Sequence, residues 1–418
     1  MSRLSRSALQ AYLEGRTFAA PAVGLPNARR VGAEVELIPV DAATRRPCPL
    51  EEGAGPATLP FLRRFGSRQG WVEQRTAKGV ACFTVPGGGS ITFEPGGQIE
   101  YASPPSRSAT TLINRLRGVV VPLRAAASAE GITLLTVGID PRNPVEQVPL
   151  QLSCDRYVRM AAHFARIGRS GARMMRQTAA LQISVDFEDE PFVRWRLLNA
   201  LAPFVTAVFA NSPMYAGRYT RHRSYRAHCW RTLDPDRTGL PYDEKEPIDR
   251  YLDFALDAPA ILLPTVDGRC ASFRSWLSRA NPSVDEWETH LTTLFPEVRP
   301  RGHLELRSID AIDPAWYPAA LAMVAGLAYE PRARRAALDL LPAPDLGLLE
   351  RAGRLGLADP ALAHTASDLF ELALAGCAVL GTKFLQPAHL DEARAYFERY
   401  TRVGRSPADE LKGCAVAA

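Results

Sequence analysis

Four separate stretches of the chain read as β-strands that are apolar on one face and carry acids or amides on the other, and any fold must satisfy both faces at once. Side chains alternate along a strand, so residues two apart share a face. In "GAEVELI" this puts Glu34 and Glu36 on one side and Ala33, Val35 and Leu37 on the other. In "ITFEPGGQIEYASPP", a turn at Pro95, Gly96 and Gly97 sets Glu94 across from Gln98, with Glu100 following Gln98 on the same face. Glu94 and Glu100 then sit diagonally on adjacent strands, about 7–8 Å apart at the backbone. "GHLELRS" groups His303, Glu305 and Arg307 against Leu304 and Leu306, and "AALQISVDF" groups Gln182, Ser184 and Asp186 against Leu181, Ile183 and Val185.

A solvated sheet face is the ordinary explanation for any one of these strands. The choice of residue argues for more. Solvated strands favour Thr, Lys, Arg and Ser, whereas glutamates paired on one face repel each other unless cations stand between them. Mg²⁺ commonly keeps several waters and bridges a few carboxylates to substrate phosphates, so the group suggests ATP chemistry rather than an all-protein cage. Arg307, two residues after Glu305, supplies the positive charge that a phosphoryl group in transfer requires. The sequence contains no GxxxxGK[ST] loop and no kinase glycine loop. A nucleotide is therefore expected on a carboxylate-lined sheet, not at a helix amino terminus.

With 418 residues, 46% of them hydrophobic and 23% charged, the chain can bury a substantial core. Its formal net charge of +5 comes from arginines scattered along its whole length, with Lys only at Lys78, Lys245, Lys383 and Lys412. Scattered charge is a weak signal for nucleic acid, and no nucleic-acid partner is expected. "LINRLRGVVVPLRAAA" is interrupted by Arg115, Arg117 and Arg124, and no uninterrupted apolar run reaches the roughly 18–20 residues that span a bilayer. "MSRLSRSALQAYLEG" lacks an apolar stretch followed by a cleavage site, and seven dispersed cysteines form no CxxC. Free thiols in a reducing cytoplasm are the expectation, with Cys229 and Cys270 inert and no metal–thiolate site.

Short strands interspersed with helices, rather than a regular βαβ series, predict an antiparallel-rich α+β fold. A helix is expected at Ser7 to Gly15, followed by a Pro/Gly/Ala linker to residue 30, and turn residues dominate from Thr44 to Gly70. "GVACFTVPGGGSITFEPGGQIEYAS" predicts three strands with Gly-rich turns. A long amphipathic helix is predicted from Ser108 to Ala129, others near Pro191–Asn211, Pro247–Leu256 and Val284–Leu294, and a largely helical tail closes the chain. "AILLPTV" is a further apolar segment, and the turn-rich "CWRTLDPDRTGLPYDEKE" is a candidate covering loop.

Six ordered blocks extend this reading: "GAEVELI", "GGGSITFEPGGQIEYASPP", "MMRQTAALQISVDF", "LAPFVTAVFANSP", "RSYRAHCWRTLDPDRTG" and "WETHLTTLFPEVRPRGHLELRSIDA". Together they resemble the plant-type glutamate–cysteine ligases, which include bacterial enzymes and share their catalytic sheet with glutamine synthetase. The resemblance implies a curved, mainly antiparallel six-stranded sheet forming a funnel-shaped active site, with helices packed outside. It implies an N-terminal helix and linker over 1–30, a catalytic carboxylate–amine ligase domain over 31–330, and a helical extension over 331–418 packed on that domain. The implied chemistry is phosphorylation of the γ-carboxylate of L-glutamate by ATP, then attack by the amino group of L-cysteine; ligation of another amine is the alternative. Glu34, Glu36, Glu94, Glu100 and Glu305 are implied ligands for two or three Mg²⁺ ions, which Mn²⁺ can replace. Arg307 and Glu305 are the implied catalytic residues, and Arg226 (before Arg223), Trp230 and Gln182 the implied substrate contacts. Gln182 takes a position where bacterial relatives carry a metal-binding histidine. A monomer or homodimer, with small-molecule substrates and no membrane partner, completes the expectation.

Overall fold

The computed structural model describes residues 4–19, 29–53, 55–76, 79–187, 190–264 and 270–416. Its centre is one open sheet whose strands are β1 (Val31–Asp41), β2 (Val72–Arg75), β3 (Ala81–Thr84), β4 (Ser90–Phe93), β5 (Ile99–Ala102), β6 (Ile132–Leu135), β7 (Ala180–Val185), β10 (Val298–Pro300) and β11 (Leu304–Asp310). The remaining strands, β8 (Met214–Tyr215) and β9 (Arg218–Tyr219), form a separate small hairpin. The order is β10-β11-β7-β1-β5-β4-β3-β2, with β6 paired to the C-terminal half of β1, and every pairing is antiparallel. The sheet thus has nine strands where six were expected. β2 is one of the strands missed in the sequence; the helix Thr58–Arg68, which buries Leu59, Phe61, Leu62 and Phe65, was hidden in the turn-rich stretch from Thr44 to Gly70.

Register gives the sheet two chemically distinct faces, because paired residues point the same way. One row runs Val298, Leu306, Ile183, Ala33 across β10, β11, β7 and β1; another runs Leu181, Val35, Tyr101, Ile91, Phe83 from β7 to β3. All nine are buried in the main hydrophobic cluster. The other face carries Arg299 opposite Glu305, Glu305 opposite Ser184, Gln182 opposite Glu34, and Glu36 opposite Glu100. The alternation read from the sequence therefore holds along β1, along β7 and along β11 as far as Leu306.

Helices cover the apolar face. Ala109–Ala129 begins with Ser108 accepting from the Thr111 N–H and packs on β1 and β6. Tyr317–Tyr329 is buried along its whole length and packs against Pro360–Leu380, Pro387–Arg399 and β7, so the tail shares the main hydrophobic cluster. Pro360–Leu380 is the one helix among the described residues long and apolar enough to cross a membrane, and its Leu362, Ala366, Leu369, Phe370 and Ala373 are buried in this core. The expected linker falls mainly on residues 20–28, outside the described residues, as does the end of "AILLPTV".

Tyr317–Tyr329 and Pro360–Leu380 touch backbone to backbone. A Cβ on Gly326 would meet the Ala373 carbonyl, and one on Gly376 would lie 2.7 Å from the Gly326 oxygen. Alanine is the better helix former by about 1 kcal/mol, yet overpacking this crossing costs about 1–3 kcal/mol. Gly326→Ala is therefore expected to lower the urea midpoint at unchanged slope; a raised midpoint would show the crossing can relax.

Candidate active site

The acidic hairpin is held by local geometry. Glu94 donates its N–H to the Gln98 carbonyl and accepts from the Gly97 N–H, so Pro95, Gly96 and Gly97 form the predicted three-residue loop. Gly97 closes it at φ +87°, a conformation that strains any side chain. Gln151 fastens the loop from behind, donating from its amide to the Gly96 carbonyl at 2.8 Å and the Cys48 carbonyl at 3.0 Å. Gln98 donates to the Thr178 carbonyl at 3.0 Å.

The polar face of the sheet opens into a cavity of about 420 Å³. Glu34, Glu36, Glu94, Glu100 and Gln182 line it, and Arg156, Arg226, Arg299, Arg301 and Arg307 supply the opposite charge. Met160, Met175, Trp230 and Phe295 belong to a second hydrophobic cluster that forms an apolar wall of the same cavity. Glu36 accepts from the Ala180 N–H and from the Gln182 amide, both at 2.8 Å. Burial, followed by the neighbouring Glu94, still pushes its carboxyl up to about 8. Glu100 accepts from Thr92 Oγ1 at 2.9 Å; burial and then Glu34, Glu94 and Glu36 raise it well above the usual carboxylate range. Burial and Glu305 raise Glu34 as well.

Glu305 behaves in the opposite way. Burial alone would raise it, but Arg299, Arg307 and Arg301 overcome that and hold its carboxyl at about 2. Arg299 grips it bidentately at 2.9–3.1 Å, Arg307 donates to Oε1, and Arg301 stands at 3.6 Å. The β10–β11 register sets Arg299 directly opposite Glu305, so its carboxylate is taken up by arginines here. The other four acids and Gln182 fit hard divalent cations, since they present oxygen donors with excess negative charge and Gln182 Oε1 is buried without a partner. Among the described residues no three acids, histidines or cysteines converge into a ready-made cage.

Arg226 and Trp230 lie one helical turn apart on Tyr225–Arg231, which Ser224 caps by accepting from the Ala227 N–H. The Arg226 guanidinium stands 4.9 Å from the Trp230 ring centroid, Arg307 stands 5.8 Å from it, and the indole N–H donates to the Phe295 carbonyl at 3.0 Å. Arg223 is turned away and pairs with Asp409 at 2.9 Å. His228 stacks on Tyr225 and lies 4.4 Å from His222, centroid to centroid; neither His228 nor His303 lines the cavity. The "DPDRTG" block is no loose cover: Arg237 is fully buried, donates to Thr293 and to the Pro259 carbonyl, and pairs with Asp234 at 3.1 Å. The six described cysteines are free, and burial pushes Cys48, Cys229 and Cys377 up to about 12. Sequence reasoning missed Arg299, Arg301 and Arg156. The first two were detectable by pairing "PEVRP" with "HLELR" across Gly302; Arg156 reaches the site from the helix Asp155–Ala165 and left no local signal.

Stability should record the two electrostatic environments. Because Glu36 and Glu100 are raised, the folded state keeps protons that the unfolded state releases, so their contribution to stability falls as pH rises above 4.5, in the case of Glu36 up to about 8. Glu100→Gln, which mimics the protonated form, is expected to raise the melting temperature at pH 8 with little effect at pH 5. Glu305→Gln should instead cost about 3–5 kcal/mol at either pH by leaving buried arginines unpaired. Calorimetry of both variants checks the contrast, and like-signed effects at pH 8 would contradict it.

Comparison with known proteins identifies the family. The family model described as glutamate-cysteine ligase family 2 matches residues 30–415. Glutamate–cysteine ligase EgtA of Mycolicibacterium smegmatis is 33% identical over 406 residues, covering 93% of this chain and 88% of that protein. The chloroplastic glutamate–cysteine ligase of Arabidopsis thaliana is 30% identical over 407 residues, covering 91% and 75%. Among solved structures, a glutamate–cysteine ligase from Francisella tularensis in complex with AMP shares the fold with TM-score 0.54 at 12% identity, covering 93% of this chain and 84% of that one. An antiparallel α+β fold, a charged cavity on its sheet and a family match over nearly the whole length lead to one conclusion: the chain belongs to glutamate-cysteine ligase family 2 and is an enzyme of that class.

Proposed function

We propose that the protein uses ATP to join the γ-carboxylate of L-glutamate to the amino group of L-cysteine through a γ-glutamyl phosphate, giving γ-glutamylcysteine for glutathione or ergothioneine synthesis. The observation that carries this reading is a cavity lined by both glutamates and arginines. A carboxylate resists a nucleophile because its charge repels it and oxide is a hopeless leaving group; phosphorylation removes both obstacles. Mg²⁺ ions, when bound, neutralise the polyphosphate and the charge that develops in transfer. Glu34, Glu36, Glu94 and Glu100, with Gln182, are the residues to hold them, and Glu305 joins them only by giving up an arginine. Arg307 is assigned to the transferring phosphoryl group and Arg226 to a substrate carboxylate. The faces of Trp230, Phe295 and Met160 help keep water from an acyl phosphate that would otherwise hydrolyse.

The catalytic unit is taken as residues 31–330 with 331–418 as its helical extension. A cytoplasmic monomer or homodimer is the proposed setting, consistent with the free described cysteines. The acceptor is the open variable, and the same chemistry with another amine is the second reading.

Two measurements test the scheme. Purified protein given L-glutamate, ATP, Mg²⁺ and a panel of amino acids should release phosphate fastest with cysteine and yield γ-glutamylcysteine by mass spectrometry. Phosphate release no greater with cysteine than without it, alongside product from another amine, would move the assignment to that acceptor. Separately, Mg²⁺ without nucleotide should raise the melting temperature more at pH 8 than at pH 6, because the ion competes with protons for Glu36 and Glu100. Equal shifts at both pH values would count against ions held by these acids.

A further inference from the structure

Asp310 ends β11 and takes no part in the chemistry above. Its fully buried carboxylate accepts from the Asn211 N–H at 2.9 Å, from Ser212 Oγ at 2.7 Å and from Ser224 Oγ at 2.9 Å, and lies 3.9 Å from Arg226 Nη1. A hydroxyl has one proton to give, and here both serines give it to Asp310. Their lone pairs are thereby turned to the helix Tyr225–Arg231: Ser212 Oγ accepts from the Arg226 N–H at 3.2 Å and Ser224 Oγ from the Ala227 N–H at 3.0 Å. The Arg226 side chain closes the circuit by donating from Nη2 to the Arg307 carbonyl at 2.8 Å. Gly138 leaves the room this needs, since a Cβ there would lie 2.6 Å from Asp310 Oδ2.

Backbone register explains how Asp310 arrives on this side. Leu306 pairs with Ile183 and Ile309 with Leu181, so β11 uses three residues where β7 uses two. That one-residue bulge reverses the alternation. Ile309 enters the core, and Asp310 falls on the face that carries Glu305.

We infer that Asp310 is a positioning residue: by orienting the Ser212 and Ser224 hydroxyls it ties the first turn of Tyr225–Arg231 to β11 and fixes where Arg226 stands in the cavity. The inference rests on the proposed contact between Arg226 and a substrate carboxylate. Asp310→Asn keeps the volume and removes the charge. It should raise KM for the same amino-acid substrate as Arg226→Ala, by about tenfold or more, with kcat less affected and KM for ATP within about twofold. The double variant should be no worse than Arg226→Ala alone, because both changes disable one unit. An unchanged KM, or penalties that multiply in the double variant, would overturn the assignment, since a residue that only fills the core acts independently of Arg226. Should Asp310→Asn not fold, Ser212→Ala, which removes the acceptor for the Arg226 N–H, should raise the same KM; no change would count equally against the role. If the wild type ligates no amine at all, the proposed function falls, and the positioning role is then decided by amide exchange. Exchange at Arg226 and Ala227 should be faster in Asp310→Asn than in the wild type, and identical exchange would overturn the role.

Discussion

Like charges placed on one buried wall are the constraint around which the rest of the structure is arranged. Glu36 and Glu100 are direct cross-strand partners, and two ionised carboxylates about 5.5 Å apart in a medium of effective dielectric about 20 repel by roughly 3 kcal/mol. Desolvation adds to that cost. The same strands offset it on their other face, where residues such as Val35, Ile99, Leu181 and Ile183 are buried, each worth about 1.5–3 kcal/mol for full burial of a large side chain. The two faces are therefore coupled: the core stabilises a sheet whose polar side would not be assembled for its own sake. In a protein without ligands the acids reduce the strain by holding protons, as the raised carboxyls of Glu36 and Glu100 record.

Two buried glutamates on the same face shift in opposite directions because of the charges around them. Burial and then Glu94 push Glu36 up to about 8, while at Glu305 the arginines Arg299, Arg307 and Arg301 overcome burial and hold it at about 2. Across β10, β11, β7, β1 and β5 the polar face thus passes from arginine-rich to acid-rich. Anionic groups such as phosphates and carboxylates are favoured at the first end and hard cations at the second, and a phosphoryl group bridging both would be drawn to the junction. Burial alone produces no such gradient; strand order does.

This explains which features could be read from the sequence. Alternation in "GAEVELI", "QISVDF" and "HLELRS" depends only on backbone geometry, so the common face of Glu34, Glu36, Gln182 and Glu305 was legible in the sequence alone. The Pro95-Gly96-Gly97 loop was legible for the same local reason. What escaped was set by pairing between distant segments. Glu305 looked like an exposed ligand because its partner Arg299 lies on a strand of three residues, too short to signal itself. The "DPDRTG" block belongs to a turn-rich segment that looked like a covering loop, yet Arg237 is locked by Thr293 and Pro259 from other parts of the chain. Turn-forming residues between Thr44 and Gly70 concealed a helix whose Leu59, Phe61, Leu62 and Phe65 carry the expected apolar spacing.

β11 shows how one strand can meet conflicting demands from its two faces. Strict alternation allows it to present Glu305 and Arg307 to the polar face and Leu304 and Leu306 to the core, but it would then turn Ile309 toward the polar side and Asp310 into the apolar layer. An isoleucine among charges forfeits its burial, and a carboxylate among aliphatic side chains meets no donors. The extra residue between Leu306 and Ile309 resolves both conflicts together: Ile309 is fully buried against Leu181, and Asp310 meets Asn211, Ser212 and Ser224. The bulge costs ladder hydrogen bonds at a central strand, which a sheet accepts only where the side chains it redirects contribute more than the backbone loses. Here they contribute a filled core position and a satisfied buried charge, beside the helix that carries Arg226 and Trp230.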